Sequence, residues 1–177
     1  MSTATLIEDY DRVLTFQSCS KTYAMTGWRI GYAAGNKDII KAMGKLQGQS
    51  TSCPNSIAQT AAIEALTGDQ TKVGIMCTEF KKRRDFIVDC LNNMKDVSCN
   101  TPGGAFYVFP DFSAYMGKNE KIKCSNDLSM YLLEKKSVVT VSGEAFGGEG
   151  HIRFSYAASD DALRRAMDLL DETLNEV

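Results

Sequence analysis

Residues 18–32 read SCSKTYAMTGWRIGY and place one lysine, Lys21, between two apolar runs. The runs are RVLTFQS (12–18) and RIGYAAG (29–35), and their β-branched and aromatic residues predict two buried strands. A lysine amine is protonated at neutral pH and attacks a carbonyl only where desolvation or a neighbouring cation favours its neutral form. Lys21 follows an apolar strand and lies close in sequence to Arg29, so we expect a reactive amine here.

The polar residues around Lys21 suit a phosphate group. Ser18, Ser20 and Lys21 fall just past the end of the first predicted strand, where ligands of open α/β sheets bind. Arg29 begins the second predicted strand, where its burial requires an anion, and a guanidinium with serine hydroxyls matches a phosphate. A nucleophilic amine beside a phosphate site is what pyridoxal phosphate requires. The residues alone leave two other interpretations open, namely a surface loop lysine and an arginine in a structural ion pair.

The same segment resembles the cofactor-attachment signature of class I and II aminotransferases, which have the aspartate aminotransferase fold (fold type I). The matching positions are Ser18, Ser20, Lys21, Ala24, Met25, Gly27, Arg29 and Gly31. Further landmarks of the family follow in the same order, and they are QSTSCPNSIAQTAAIEAL (49–66), GGAFYVFPDFS (103–113) and HIRFSYAAS (151–159). The resemblance covers nearly the whole chain and is nearest to the prokaryote-type aspartate aminotransferase branch.

This resemblance implies transfer of an amino group between an amino acid, aspartate or a similar one, and a 2-oxo acid, with pyridoxal 5'-phosphate as cofactor. Lys21 matches the lysine that forms a Schiff base with the cofactor and then moves a proton between substrate and cofactor. Ser18 and Arg29 match phosphate ligands, and Ser20 lies close enough to assist. Arg153 matches the arginine that binds the substrate α-carboxylate. No metal is implied.

The residues around Arg153 agree with that role. In HIRFSYA (151–157), strand alternation places the apolar side chains on one face and Arg153 on the other, together with Ser155 and Ala157. An arginine on a face of small residues leaves room for a carboxylate that binds in a bidentate manner. By itself the pattern is equally compatible with an exposed strand arginine.

The order of elements predicts an α/β chain in three parts. Residues 1–67 correspond to the last strands and helices of a large pyridoxal-phosphate-binding domain, residues 68–94 to a long linking helix, and residues 95–177 to a small α+β C-terminal domain. Two strands and two helices cannot cover both faces of a parallel sheet, so we expect further residues upstream. The resemblance implies the same, because it covers only the C-terminal portion of an aminotransferase, and we expect little or no activity from this chain alone.

Capping residues and apolar periodicity predict the element boundaries. We expect helices that open at Asn36, Pro54, Asp69 or Thr71, Ser125 and Ser159, with Gly68 ending the second. Further strands are expected at 104–112, 137–142 and 151–157. The last helix should bury the stripe Leu163, Met167, Leu170 and Leu174.

The composition of the chain argues against several classes of partner and site. The net charge of −2 gives no field that attracts nucleic acid, and no apolar run reaches the roughly 18 residues of a membrane span. The six cysteines form no C-x-x-C pair and there is one histidine, which indicates reduced thiols, a cytoplasmic protein and no metal site. The glycine-rich GEAFGGEG (143–150) joins two predicted strands, so it predicts a turn and not a dinucleotide loop. The resemblance implies a homodimer for the full-length protein.

Two alternatives stay open from the sequence. One is another fold-type I pyridoxal-phosphate enzyme, a lyase or a synthase, because the same scaffold supports several reactions. The other is a non-catalytic, aminotransferase-like effector module of a regulator. Amino-acid specificity is not indicated by the motifs that match.

Overall fold

A computed structural model describes residues 3–118 and 120–176 of the 177-residue chain. The chain divides into two compact units, Met1–Ile75 and Met76–Val177. In the described residues the strands are β1 (Thr15–Ser18), β2 (Gly31–Ala34), β3 (Tyr107–Val108), β4 (Val141–Ser142) and β5 (Ile152–Ser155). The α-helices are α1 (Cys19–Thr22), α2 (Lys37–Ser50), α3 (Ser56–Thr67), α4 (Thr71–Asn93), α5 (Ser125–Lys136) and α6 (Asp160–Glu176).

The two strands of the first unit form an antiparallel ladder. Thr15 pairs with Ala34 at one end and Ser18 pairs with Gly31 at the other. The expectation that both strands are buried is wrong, because Phe16 on β1 is 63% exposed. Both strands are shorter than the apolar runs that predicted them, because only four residues of each run pair with the other.

Asparagine side chains begin both longer helices of the first unit. Asn36 precedes α2, and its Oδ1 accepts hydrogen bonds from the backbone N–H groups of Asp38 and Ile39. This confirms the predicted start of the helix. Helix α3 begins after Asn55 and not at Pro54, because Asn55 Oδ1 accepts from the N–H groups of Ile57 and Ala58. Proline has no side-chain acceptor with which to do this.

The sheet of the second unit has the order β3-β5-β4, with every pair antiparallel. Its central strand β5 pairs through Phe154 with Val108 on one side and through Ile152 with Ser142 on the other. The outer strands are shorter than predicted. On the β3 side Pro110, which has no N–H to donate, follows the strand and ends regular pairing.

Helices cover one face of this sheet and form the core of the second unit. Tyr156 is buried in this core, where its hydroxyl donates to the Ala105 carbonyl at 3.0 Å, and burial raises its pKa. The predicted α6 stripe is confirmed, and so is the cap of Ser159, whose Oγ accepts from the Ala162 N–H. The main buried members of this core are Ile87, Leu91, Val108, Phe112, Ile122, Leu128, Leu132, Ile152, Phe154, Leu163, Met167, Leu170 and Leu174.

A carboxylate from a distant loop caps α5. Ser125 is the first helical residue and not the cap, and it is fully buried. Its backbone N–H and its hydroxyl donate to Glu144 Oε1 at 3.1 and 2.8 Å. Negative charge at a helix N-terminus is stabilising, so this contact links the loop after β4 to the start of α5. In the described residues, none of the helices combines the length and apolar character needed to cross a bilayer.

Gly143 has no space for a side chain, which gives a stability prediction. A Cβ on this residue would collide with the carbonyl oxygens of Gly148 and His151, and neither backbone atom can yield easily. We expect Gly143→Ala to lower the free energy of unfolding by about 3 kcal/mol, as overpacking of a filled interior does. Chemical denaturation followed by circular dichroism measures the change.

The control for this prediction is Gly103→Ala, because a Cβ at Gly103 meets no atom within 4 Å. It should change the free energy of unfolding by less than about 0.5 kcal/mol. Equal stability of the two variants would show that the backbone around Gly143 is looser than the structure indicates.

Candidate functional site

The predicted cofactor residues Ser18, Ser20 and Lys21 lie within one turn of chain in the first unit. Ser18 ends β1 and caps α1, because its Oγ accepts a hydrogen bond of 3.1 Å from the Ser20 N–H. Between them Cys19 is buried, with 1% of its surface exposed, and its N–H donates to the Ile30 carbonyl at 3.2 Å. The buried Cys19 therefore anchors a short helix on which Lys21 is exposed.

Arg29 does not lie inside a buried strand, so that prediction is wrong. It follows a 3-10 turn, Thr26–Trp28, and precedes β2, and its side chain is exposed. Its φ of 50° and ψ of 51° are left-handed, and its Nη1 donates to the Thr26 carbonyl at 3.1 Å. Ala24 is left-handed too, with a φ of 53°. Two such non-glycine residues cost of order 1 kcal/mol each and are typical of functional loops.

A cavity of about 520 Å³ opens beside Arg29. This volume falls in the range of small-molecule sites, about 300–1,000 Å³. A Cβ on Gly27 would meet no atom within 4 Å, so the glycine borders open space. Lys21 and the two serines are not among the lining residues, which are Ala24, Gly27, Trp28, Arg29, Asn55 and Ala58.

Gly31 brings the two strands of the first unit together at the end that carries Ser18. A Cβ on Gly31 would lie 2.6 Å from the Gln17 carbonyl oxygen, and Gly31 is the partner of Ser18 in the ladder. A side chain here would separate the strands and displace Ser18. The glycine of the signature therefore has a local geometric cause.

Arg153 lies on β5 in the second unit, opposite the buried face that Ile152 and Phe154 form, as strand alternation predicts. Its guanidinium carbon is 4.3 Å from the ring centroid of Tyr107 and 4.5 Å from that of Phe146. Within residues 3–118 and 120–176, no carboxylate lies within ion-pair distance of this guanidinium. The positive charge is therefore available to an external anion.

The rings beside Arg153 are functional candidates that the sequence analysis missed. The alternation in FYVF (106–109) places Tyr107 and Phe109 on the face opposite buried Val108, and this could have indicated them. Phe146 has no such signal, because it lies in the loop interpreted only as a turn. His151 stacks on Phe109 with 5.0 Å between centroids. The described side chains contain no cluster of three or more His, Cys, Asp or Glu residues that could hold a metal ion.

Comparison with known proteins identifies the family. The model of "Aminotransferase class I and II" matches residues 1–170. An aspartate/prephenate aminotransferase of Cereibacter sphaeroides is 50% identical over 89% of this chain and 40% of its own length, and an aspartate aminotransferase of Pinus pinaster is 43% identical over 98% and 37%. The crystal structure of the aspartate aminotransferase from Rhizobium meliloti superposes with a TM-score of 0.93 at 40% identity, covering 99% of this chain and 45% of that one.

The chain thus spans about 40% of the length of the curated relatives that it matches. The solved structures add the fold, an α/β aminotransferase fold of which this chain covers under half. Because the family match extends over nearly all residues, including the lysine segment and the Arg153 strand, this chain belongs to the aminotransferase class I and II family.

Proposed function

We propose that this chain is the Lys21-bearing part of an aminotransferase that moves an amino group between an amino acid, aspartate or a similar one, and a 2-oxo acid. The observation that carries the proposal is the family match over residues 1–170, because it includes Lys21 within an intact attachment signature. Relatives named for aspartate and for aspartate/prephenate support this substrate class. The activity belongs to the whole protein, of which this chain is a part.

The family uses pyridoxal 5'-phosphate, and the residues of the first unit fit that group. A cation, Arg29, lies at the edge of a cavity of suitable size, and the Gly27 position leaves the cavity open. We assign the phosphate to Arg29, with the hydroxyls of Ser18 and Ser20 as further donors. Ser18 Oγ accepts from the Ser20 N–H, which leaves its O–H to act as a donor.

Lys21 is assigned two tasks. Its amine would hold the cofactor, and once the substrate has displaced it the same amine would be placed to carry a proton at the substrate Cα. The cofactor, when bound, supplies an electron sink for the negative charge at that carbon. The position of Lys21 supports this assignment, because it lies two residues after buried Cys19 on α1, directly after the end of β1.

Arg153 is assigned the α-carboxylate of the substrate. The support is its guanidinium flanked by two rings, with no carboxylate partner in the described residues and with exposed Ser155 beside it on the same face. A guanidinium presents a planar pair of N–H donors that matches a carboxylate.

The remaining assignments follow from the same family. We propose that residues 1–67 are the end of the large cofactor-binding domain, residues 68–94 a linking helix and residues 95–177 a small C-terminal domain. The whole protein would be a cytoplasmic homodimer. The lyase, synthase and regulator alternatives are not favoured, because the relatives reported above are all named aminotransferases.

Cofactor attachment provides the test. The chain is mixed with pyridoxal 5'-phosphate, its absorbance spectrum is recorded, and the mixture is reduced with borohydride and digested for peptide mass analysis. We expect a new absorbance band and a cofactor-modified peptide that contains Lys21, both lost in Lys21→Ala. The control is Lys37→Ala, which removes an exposed lysine of α2 outside the signature and should keep both signals. Modification spread evenly over surface lysines would contradict the assignment.

A further inference from the structure

We propose that Tyr107 and Phe146 are positioning residues that hold the guanidinium of Arg153 in a fixed plane, so that it receives a carboxylate already oriented. The inference rests on the proposed function, because it specifies how the Arg153 site is built. It adds two residues to which neither the signature nor the family match assigns a role.

The two rings approach Arg153 from opposite neighbours of the central strand. Tyr107 lies on β3 and Phe146 ends the 3-10 turn Gly143–Phe146 that follows β4, while β5 lies between β3 and β4. Their centroids are 4.3 and 4.5 Å from the guanidinium carbon, well within the roughly 6 Å of a cation–π contact. Rings that contact the face of a guanidinium leave its in-plane N–H donors available for a bidentate acceptor.

A second row of aromatic contacts holds Phe146 in place. The ring of Phe109 meets Phe146 edge to face, with 6.2 Å between centroids and 89° between planes. Phe109 in turn stacks on His151, whose Nδ1 lies 3.0 Å from the Glu149 carbonyl. A Cβ on Gly148 would lie 2.6 Å from Phe109 Cε1, so the ring of Phe109 occupies the space beside this glycine. Phe146 is 51% exposed, and these contacts explain why it is nevertheless oriented toward Arg153.

The ionic surroundings distinguish Arg153 from the arginines of α4. Arg83 pairs with Asp160 at 2.8 Å and Arg84 pairs with Asp85 at 2.6 Å. Arg153 contacts rings in place of a carboxylate, so its orientation is set while its charge is not neutralised. A free arginine side chain loses rotamer entropy when it is fixed. Rings that fix the arginine side chain during folding reduce the entropy that is lost when a ligand binds.

The test uses the whole 177-residue chain, labelled with ¹⁵N, and succinate as a carboxylate probe. The Arg153 Nε–H signal, assigned with Arg153→Gln, should be shifted upfield by the neighbouring rings and should respond to succinate. Tyr107→Leu and Phe146→Leu should each move that signal toward the position of an exposed arginine and weaken succinate binding by about 3- to 10-fold, the range of one cation–π contact.

Two variants separate orientation from simple packing. Tyr107→Phe keeps the ring and should bind succinate as the unsubstituted chain does. Phe146→Trp offers a better cation–π surface and should bind at least as tightly, a result that a merely space-filling role would not produce. If a leucine variant loses its folded spectrum, these two ring-keeping variants still decide the matter, because loss of binding in both would overturn the inference.

The outcomes also separate this inference from the proposed function. If Arg153→Gln abolishes succinate binding while both leucine variants bind normally, the positioning role is wrong and the carboxylate assignment stands. If Arg153→Gln binds normally, the carboxylate assignment itself fails. An unsubstituted chain that does not bind succinate, or an Arg153 Nε–H signal at the ordinary position of an exposed arginine, overturns the inference.

Discussion

Lys21→Ala is expected to reduce transamination by a factor on the order of a thousand or more, because it removes the amine to which we assign both cofactor attachment and proton transfer. The assay uses a fusion in which the part of the Cereibacter sphaeroides relative that precedes the matched segment is joined to this chain. Formation of oxaloacetate from aspartate and 2-oxoglutarate measures turnover. The variant should keep the fold, because Lys21 is exposed and the buried anchor of its helix is Cys19.

Lys21→Arg is the matched control for charge. It keeps a long cationic side chain, but a guanidinium stays protonated and does not condense with an aldehyde. We expect it to be as inactive as Lys21→Ala. An Lys21→Arg variant with near-normal turnover would mean that only positive charge is required at this position. An unsubstituted fusion with no turnover would contradict the proposed function.

Arg153→Gln is expected to lower kcat/KM for aspartate by about 100- to 1,000-fold. Hydrogen bonds to charged groups contribute about 1.5–3 kcal/mol each, and the loss of a bidentate pair removes roughly 3–4 kcal/mol of stabilisation. Arg153→Lys should recover part of the loss, because it restores the charge without the planar pair of donors. Steady-state kinetics of the same fusion over a range of aspartate concentrations measure both effects.

Arg164→Gln is the matched control within the second unit. Its guanidinium carbon also lies against a ring, at 4.8 Å from the Phe86 centroid, but on α6, and we assign it no role in binding. It should leave kcat/KM within about twofold of the unsubstituted fusion, as most exposed substitutions do. Equal losses from Arg153→Gln and Arg164→Gln would indicate a general charge effect and not a specific carboxylate site.

Features of the fold that depend on neighbouring residues were predictable from the sequence. Asn36 caps α2 and Gly68 ends α3 as predicted, because capping uses backbone groups within a few residues. The α6 stripe was predictable because burial repeats with the helical period. The antiparallel pairing of β1 with β2 was not, since strand direction depends on the course of the chain between them. The cap of α5 was not predictable either, because Glu144 is distant in sequence from Ser125, the helix residue that it contacts.

The candidate site was likewise predictable only where it depends on residues that are close in sequence. Residue types and their spacing indicated Ser18, Ser20 and Lys21, and they lie in one turn. Alternation placed Arg153 on the exposed face of its strand. The left-handed backbone of Arg29 carries no sequence signal, because arginine rarely adopts that conformation. Nor could the sequence bring Phe146 to Arg153, since that contact depends on the order of strands in the sheet.

The left-handed backbone of Arg29 lowers the stability of the fold, whereas its guanidinium has a role in the proposed function. Selection for thermal stability and selection for activity should therefore favour different residues at this position. Glycine or asparagine would adopt this conformation more readily, and glycine would relieve of order 1 kcal/mol of strain. Any laboratory evolution that rewards heat resistance alone should therefore replace this arginine early. A lineage that keeps the arginine retains this strain, and its persistence would support the proposed role of Arg29 in binding an anion at this loop.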